Sequence, residues 1–276
     1  MSNLKERRAG PGYQRPHIES RPVFRAIAQE DILESDNAVA PLLAALEQHG
    51  QLSAQETEAI RHLGWRLRDF ARGSEIVADR SRPTESCLLV SGFAARAVIL
   101  HNGSRQITAV HIAGDFIDLH GMFLKIMDHS VAALTDCRAA FVEHAALRRL
   151  SVESPRLWRL LSVTLAVDAA IQRAWMAGLG RRNPLSHLAN LFCELRLRLE
   201  VIGAVEDGAF DFRVGQADIA DMLGLSIVHT NRTVKELRST GAIAWNNGRV
   251  HIRDWNALAG IAEFDPTYLN HAPARG

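Results

Sequence analysis

The chain has 276 residues and a formal net charge of +1, with 47% hydrophobic and 23% charged side chains. This composition is typical of a soluble globular protein, and the small net charge excludes a broadly basic surface but not a local basic patch. No apolar segment reaches the roughly 20 residues that a membrane helix needs. The N-terminal charges are not followed by the apolar core of a signal peptide. We therefore expect a cytoplasmic protein.

The three cysteines, Cys87, Cys137 and Cys193, are far apart and form no C-x-x-C pair. Their spacing matches neither a structural zinc site nor a cysteine-rich cluster motif. We expect reduced, buried thiols, while a redox role for one of them stays open.

The first 36 residues are polar, rich in Arg, Pro and Gly, and show no hydrophobic periodicity. We interpret residues 1–36 as a flexible arm, either a solvated tail or a contact arm. Two short helices are predicted next, over residues 38–50 and 53–63. Ser53 and Glu56 have the spacing of a capping box at the start of the second helix.

The following part of the chain alternates short runs rich in Val, Ile and Phe with turns. Three evenly spaced glycines mark those turns: Gly92, Gly103 and Gly114. Such a pattern is typical of a rolled antiparallel sheet, and its clearest strands are predicted at residues 91–100 and 107–112. We therefore assign residues 37–152 to a β-roll, or jelly-roll, domain.

One long helix is predicted over residues 155–179, and the region 153–180 is assigned to it. Residues repeat along it at three- and four-residue steps, as in the seam of a coiled coil. The seam consists of Leu157, Leu161, Thr164, Asp168, Ile171 and Trp175. Packing of the same stripe on its own domain is the alternative. An aspartate in a seam is unfavourable unless it is paired.

A linking helix is predicted from Pro184 to about residue 201, because proline suits the first turn of a helix. It leads into the C-terminal region, which we bound at residues 181–270. The most informative part of that region, and of the whole chain, is the segment 214–255.

This segment has the spacing of a helix-turn-helix followed by a wing. The apolar face of the first helix is Ile219, Ala220 and Leu223, and that of the second is Thr230, Val234 and Leu237. Gly224 can adopt the left-handed conformation that ends a helix, and Ser226 can cap the next one. Asn247-Gly248, between two short apolar runs, predicts a tight hairpin.

The outward side of the second helix carries groups that can touch DNA. Arg232 can pair bidentately with guanine, and Val228 can touch a thymine methyl group. Lys235, Arg238 and Arg249 suit phosphate contacts, which give affinity without reading sequence. The predicted DNA-binding residues are Ser226, Val228, His229, Asn231, Arg232, Lys235, Arg238 and Arg249.

In this order, a β-roll, a long helix, a linking helix and a winged helix-turn-helix resemble the Crp/Fnr family of bacterial transcription regulators. Its most specific segments here are Q-A-D-I-A-D-M-L-G-L-S (216–226), R-T-V-K-E-L (232–237) and T-G-A-I (240–243). The resemblance implies an α+β fold, in which the β-roll is like a cyclic-nucleotide-binding domain. It also implies a homodimer joined through the predicted seam, double-stranded DNA with a near-palindromic operator, and RNA polymerase as a partner.

Two departures from the family pattern bear on DNA readout and on the effector. Val228 stands where relatives commonly carry a Glu on the recognition helix, so we expect a different operator. In the segment that resembles a cyclic-nucleotide cassette, Gly114 and Asp115 match, but His129 stands before Ser130 in place of the arginine. A cyclic phosphate needs a permanent positive partner, which neutral histidine does not supply. We take these four residues as the effector pocket and expect it not to be specialised for cyclic AMP.

Other effectors and functions stay open. The side chains of His101, His111, His120, Met122 and His129 invite a haem or metal interpretation, but no H-x-H or His-x-x-Glu pair predicts a metal site. No cofactor is required by the sequence; a cyclic nucleotide, haem, or no effector at all are the alternatives. We expect no enzymatic activity. A cyclic-nucleotide-binding subunit acting on a protein partner and a cupin-like metalloenzyme are the rival functions.

Overall fold

Residues 37–271 are described by the computed structural model, and they form an α+β fold. The predicted arm lies outside the described residues. The helices are α1 (Ala40–Glu47), α2 (Ala54–Arg61), α3 (His144–Glu153), α4 (Pro155–Arg181), α5 (Pro184–Val201), α6 (Gln216–Leu223), α7 (Ile227–Ser239) and α8 (Trp255–Ala262). Among these described helices, none combines the length and apolar character that crossing a bilayer requires.

The strands are β1 (Arg66–Phe70), β2 (Glu75–Val77), β3 (Glu85–Ser91), β4 (Ala94–Ile99), β5 (Arg105–His111), β6 (Ser130–Ala133), β7 (Cys137–Glu143), β8 (Ala209–Asp211), β9 (Ile243–Asn246) and β10 (Arg249–Ile252). Short 3-10 helices span Leu119–Met122 and Pro266–Leu269.

Two antiparallel sheets form the predicted β-roll, in the strand orders β1-β7-β3 and β2-β6-β4-β5. Apolar side chains such as Leu89, Val131 and Phe141 pack between them. The strand predicted at residues 91–100 was wrong at its start, because Ser91 ends β3 and Gly92 turns the chain with φ of 86°. A Cβ at Gly92 would lie 2.4 Å from the carbonyl oxygen of Asp136, so the turn requires glycine.

The capping box before α2 is confirmed. The backbone N–H of Glu56 donates to Ser53 Oγ at 3.2 Å, and the backbone N–H of Ser53 donates to Glu56 Oε2 at 2.9 Å. The three cysteines are buried and unpaired within the described part of the chain.

The packing of α4 within its own chain contradicts the predicted seam. Leu157, Leu161, Ile171 and Trp175 are at most 6% exposed within a single chain, so they are not available to a partner. The first two pack under the β-roll and the last two against the winged helix. The spacing of apolar residues predicts that one face of a helix is buried, but it does not identify the surface that covers that face. In this chain, its own β-roll and winged helix cover it.

The two polar seam residues make their side-chain contacts within the chain. Asp168 pairs with Arg96 of β4 at 3.0 Å, and Thr164 donates a hydrogen bond to its own helix at the carbonyl of Leu161. The unfavourable aspartate is therefore paired within the chain. We accordingly withdraw Leu157, Leu161, Ile171 and Trp175 as the contact surface between chains, whereas Thr164 and Asp168 are only partly buried and stay predictions.

Helix α5 joins the two halves of the molecule through a buried ionic cluster. Glu194 is fully buried and accepts hydrogen bonds from Trp175 Nε1 and from Tyr268 Oη, both at 3.0 Å. Arg198 pairs with Glu194 at 3.1 Å and with Asp115 of the β-roll. This cluster links the β-roll, α4 and the C-terminal region through one helix.

Candidate functional site

The C-terminal region has the predicted helix-turn-helix. Gly224 ends α6 in the left-handed conformation, with φ of 65°. Ser226 then caps α7, because its Oγ accepts the backbone N–H of His229 at 3.3 Å. The buried side of α7 is Thr230, Thr233, Val234 and Leu237, which includes the three predicted positions. The opposite side of α7 is therefore free to enter a groove.

Most of the predicted DNA-binding side chains are exposed on α7 and the turn before it. These exposed residues are Ser226, Val228, His229, Arg232, Lys235 and Arg238. Asn231 differs, since it is half-buried and its Oδ1 is buried without a hydrogen-bond partner in the described residues. Arg232 makes no hydrogen bond or ion pair within residues 37–271, so its guanidinium is available for a base edge.

The wing is a hairpin of β9 and β10, with β8 on the other side of β10. Asn247 and Gly248 both have positive φ, 51° and 75°, as a two-residue type I′ turn requires. Arg238 of α7 donates to Asn246 of the wing at 3.0 Å, which fixes the wing against the recognition helix.

Arg249 is less free than its sequence position predicted. It pairs with Glu206 at 3.2 Å and lies 3.6 Å from Asp211. A phosphate would therefore compete with two carboxylates for this guanidinium.

The predicted effector pocket is divided in the structure, so it was wrong as one site. Gly114, with φ of 93°, lies against the carbonyl of Pro41, where a Cβ would come within 2.8 Å. The Asp115 carboxylate accepts the backbone N–H of Ile112 at 2.9 Å and pairs with Arg198, which holds the pKa of Asp115 below its usual value against the effect of burial. Both residues line a cavity between the β-roll, α4 and α5, which His129 and Ser130 do not line.

The other half of the prediction borders a groove between the β-roll and α4, which we call the β-roll groove. It is lined by Arg96, Thr108, His120, His129, Asp168 and Gln172, among others. His129 lies in its wall, and Ser130 begins β6 opposite Ala97 of β4. Sequence reasoning missed Arg96, because it lies on a separate strand, 33 residues before His129.

The β-roll also contacts the helix-turn-helix directly. Arg105 of β5 forms ion pairs with Asp218 and, at 2.7 Å, with Asp221 on α6. Gln106 Nε2 donates to the carbonyl of Asp221 at 2.7 Å. Strand β5 of the β-roll thus touches α6, the helix that supports α7.

Removal of this contact should be measurable as a stability loss. Arg105→Ala should lower the free energy of unfolding by about 1–3 kcal/mol, because two part-buried carboxylates lose charge-assisted hydrogen bonds. Arg72→Ala is the matched control: Arg72 is 56% exposed, against 32% for Arg105, and reaches Asp218 at 3.3 Å. We expect a loss below about 1 kcal/mol there. Equal losses of stability in urea unfolding would show that the Arg105 ion pairs stabilise the fold no more than the exposed Arg72 pair does.

Comparisons with known proteins agree with this architecture. Residues 67–154 match the cyclic nucleotide-binding domain model, and residues 186–261 match the Crp-like helix-turn-helix domain model. A probable transcriptional activator of Rhizobium leguminosarum is 29% identical over 72% of this chain and 80% of its own length. The nitrogen fixation regulation protein FixK of Bradyrhizobium diazoefficiens is 29% identical over 74% of this chain and 84% of its own length.

Among solved structures, FixK2 from Bradyrhizobium japonicum superposes with a TM-score of 0.65 at 20% identity, covering 71% of this chain and 96% of that one. The fold and the two domain matches define a DNA-binding transcription regulator with a cyclic-nucleotide-binding-like β-roll. Both of its matched domains are those of Crp/Fnr regulators, the class to which its relatives are similar. Neither rival function, the cupin-like enzyme or the regulatory subunit of a protein partner, is favoured by these relatives.

Proposed function

We propose that the protein acts as a homodimer that places two copies of α7 in successive major grooves of a near-palindromic operator. The observation that carries the proposal is the exposed side of α7, with an unpaired Arg232, held between a capped turn and a wing. Two half-sites about 34 Å apart, one helical turn of DNA, match two reading helices related by a two-fold axis.

The dimer surface proposed here lies beside the withdrawn seam. We call it the dimer face; its exposed apolar side chains are Val98, Ile99, Phe123, Leu124, Met176 and Leu179. They come from β4, from the loop after the Leu119–Met122 helix and from the far end of α4. Four of them, Val98, Leu124, Met176 and Leu179, line one groove. Exposed apolar surface of this kind is typical of a protein–protein interface. A second copy of α4 is the occupant that the family architecture supports.

Base readout is assigned mainly to Arg232, with Val228 and His229 beside it. Arg232→Ala should weaken specific binding by roughly 1–3 kcal/mol, about 5- to 150-fold, and relax the preference at one base pair. The check is a binding assay with every single substitution of the operator half-site. Arg149→Ala, which removes an exposed arginine from α3 of the β-roll, should leave affinity unchanged. Loss that is equal at all operator positions would assign Arg232 to phosphate contact.

The β-roll is proposed as a sensor that is not specialised for cyclic AMP. Arg96 is the buried cation of the β-roll groove, but Asp168 already neutralises it at 3.0 Å. A cyclic phosphate would have to displace that carboxylate. Regulation through RNA polymerase, without enzymatic activity, is proposed because the relatives are named as transcriptional activators.

Selection of random duplex DNA by the purified full chain without added ligand tests the proposal. We expect a two-fold symmetric motif, whose half-sites contain the guanine that Arg232 reads. Enrichment of a single asymmetric half-site would overturn the dimer, and failure to enrich any sequence, with or without a cell extract of small molecules, would overturn sequence-specific reading.

A further inference from the structure

Three potential metal ligands meet in the wall of the β-roll groove. His120 lies in the Leu119–Met122 3-10 helix, and Asp128 and His129 lie directly before β6. One ligand atom from each of the three lies within 4.8 Å of the others. The imidazole rings of His120 and His129 stand with centroids 5.0 Å apart. The loop between the two histidines brings together residues whose spacing in the sequence shows no metal motif.

Both histidines have a buried nitrogen without a partner. His129 is 7% exposed, and its Nε2 makes no hydrogen bond in the described residues. His120 Nε2 is likewise buried and unpartnered within residues 37–271. A buried polar atom without a partner destabilises a protein by about 1–3 kcal/mol. Two such nitrogen atoms on neighbouring rings therefore indicate a ligand. Both line the same groove.

Asp128 sets the tautomer that a metal requires. Its carboxylate lies 2.7 Å from His129 Nδ1 and accepts a hydrogen bond from the N–H there, which leaves the lone pair on Nε2. A carboxylate that holds the far nitrogen of a histidine is the usual arrangement around a metal-bound imidazole.

The electrostatics of the groove also favour a cation. Arg96 and Asp168 cancel each other, so Asp128 leaves the groove with a net negative charge.

We propose that His120 and His129 bind one divalent first-row transition metal ion, of which Zn²⁺ is the simplest representative, and that Asp128 orients His129 for it. Imidazole nitrogens suit such ions rather than Ca²⁺ or Mg²⁺. Nitrogens about 2.1 Å from one tetrahedral ion are about 3.4 Å apart, so the two rings close on it with a small movement. Water completes the coordination on the groove side.

The site lies opposite α4, whose Asp168 and Gln172 form the other wall of the groove. An ion there would draw the 3-10 helix and the start of β6 together beside that helix. This inference deepens the proposed sensor function by naming a class of signal. The site itself is tested without DNA, so its failure and the failure of the regulator proposal are distinguishable.

The test is titration of the metal-free full chain with Zn²⁺ by calorimetry, and with Co²⁺ by visible absorption. We expect one ion per chain at micromolar concentration, with the absorption bands of four-coordinate Co²⁺. His120→Ala and His129→Ala should each weaken binding by at least tenfold, and Asp128→Asn by about 10- to 100-fold. His101→Ala is the matched control, because it removes an exposed histidine from the turn between β4 and β5.

A second measurement, of the melting temperature, distinguishes a loss of metal affinity from a loss of folding. Zn²⁺ should raise the melting temperature of the wild-type chain and of His101→Ala, but not that of His129→Gln, which keeps a polar side chain of similar length. Absence of binding at 100 µM Zn²⁺ (a concentration far above the expected Kd), or undiminished binding by the double variant His120→Ala/His129→Ala, would overturn the site.

Discussion

Replacement of Arg198 by Met should lower the free energy of unfolding by about 3–5 kcal/mol, because it leaves the buried carboxylate of Glu194 without its guanidinium. Glu194 is fully buried and the Arg198 side chain is 9% exposed, so water does not compensate for the loss. Trp175 and Tyr268 still donate hydrogen bonds to Glu194, but these neutral groups do not neutralise its charge. The variant also releases Asp115 of the β-roll.

The loss of stability in Arg198→Met should increase as the pH rises. Burial already raises the pKa of Glu194 above its ordinary value of 4.5, and the charge of Arg198 is the strongest influence that opposes this shift. Without Arg198 the folded-state pKa rises further while the unfolded-state pKa does not change. The folded state then binds more protons, so stability falls from about pH 4.5 upward until the raised pKa is passed.

Urea unfolding of matched variants tests whether the buried Arg198–Glu194 pair stabilises the fold. Arg196→Met, on the same helix, removes an i,i+4 pair with Glu200 and a contact with Trp255, and should lower stability by about 1 kcal/mol or less. Arg198→Met combined with Glu194→Gln should recover part of the loss, because the fully buried charge is then absent and only Asp115, whose side chain is 27% exposed, lacks its arginine. If Arg198→Met were no worse than Arg196→Met, the cluster would not be a stabilising link.

Met176→Glu should convert the proposed dimer to a monomer at micromolar concentration. Met176 is 72% exposed within the chain, so its replacement leaves the monomer fold intact but buries a charge in the interface. Since a monomer loses the second, linked contact with the operator, we expect operator affinity to fall by about 10²–10⁴-fold. Sedimentation velocity and a DNA-binding assay measure the two effects.

The control for Met176→Glu is a glutamate at an exposed position outside the dimer face. Val152→Glu places the same charge on α3, at a valine that is 79% exposed, and should change neither mass nor affinity. Trp175 is unsuitable for this purpose, because it is buried and bonded to Glu194 in its own chain. If Met176→Glu remained a dimer with unchanged dissociation constant, chains would associate through a different surface.

Local chemistry made the C-terminal region predictable from sequence. The left-handed turn at Gly224, the cap at Ser226 and the hairpin at Asn247-Gly248 each depend on a few neighbouring residues. The long helix and the glycine turns of the β-roll were predictable for the same reason. The order of these elements then identified the family before any contact between them was known.

Contacts between distant parts of the chain were decided only by the tertiary structure. Which neighbour covers the stripe from Leu157 to Trp175, and that Arg198 rather than an effector engages Asp115, depend on how the β-roll and α5 meet α4. The convergence of His120, Asp128 and His129 depends on the path of one loop. Periodicity and spacing record which residues need a partner, whereas packing of the whole chain determines which partner they receive.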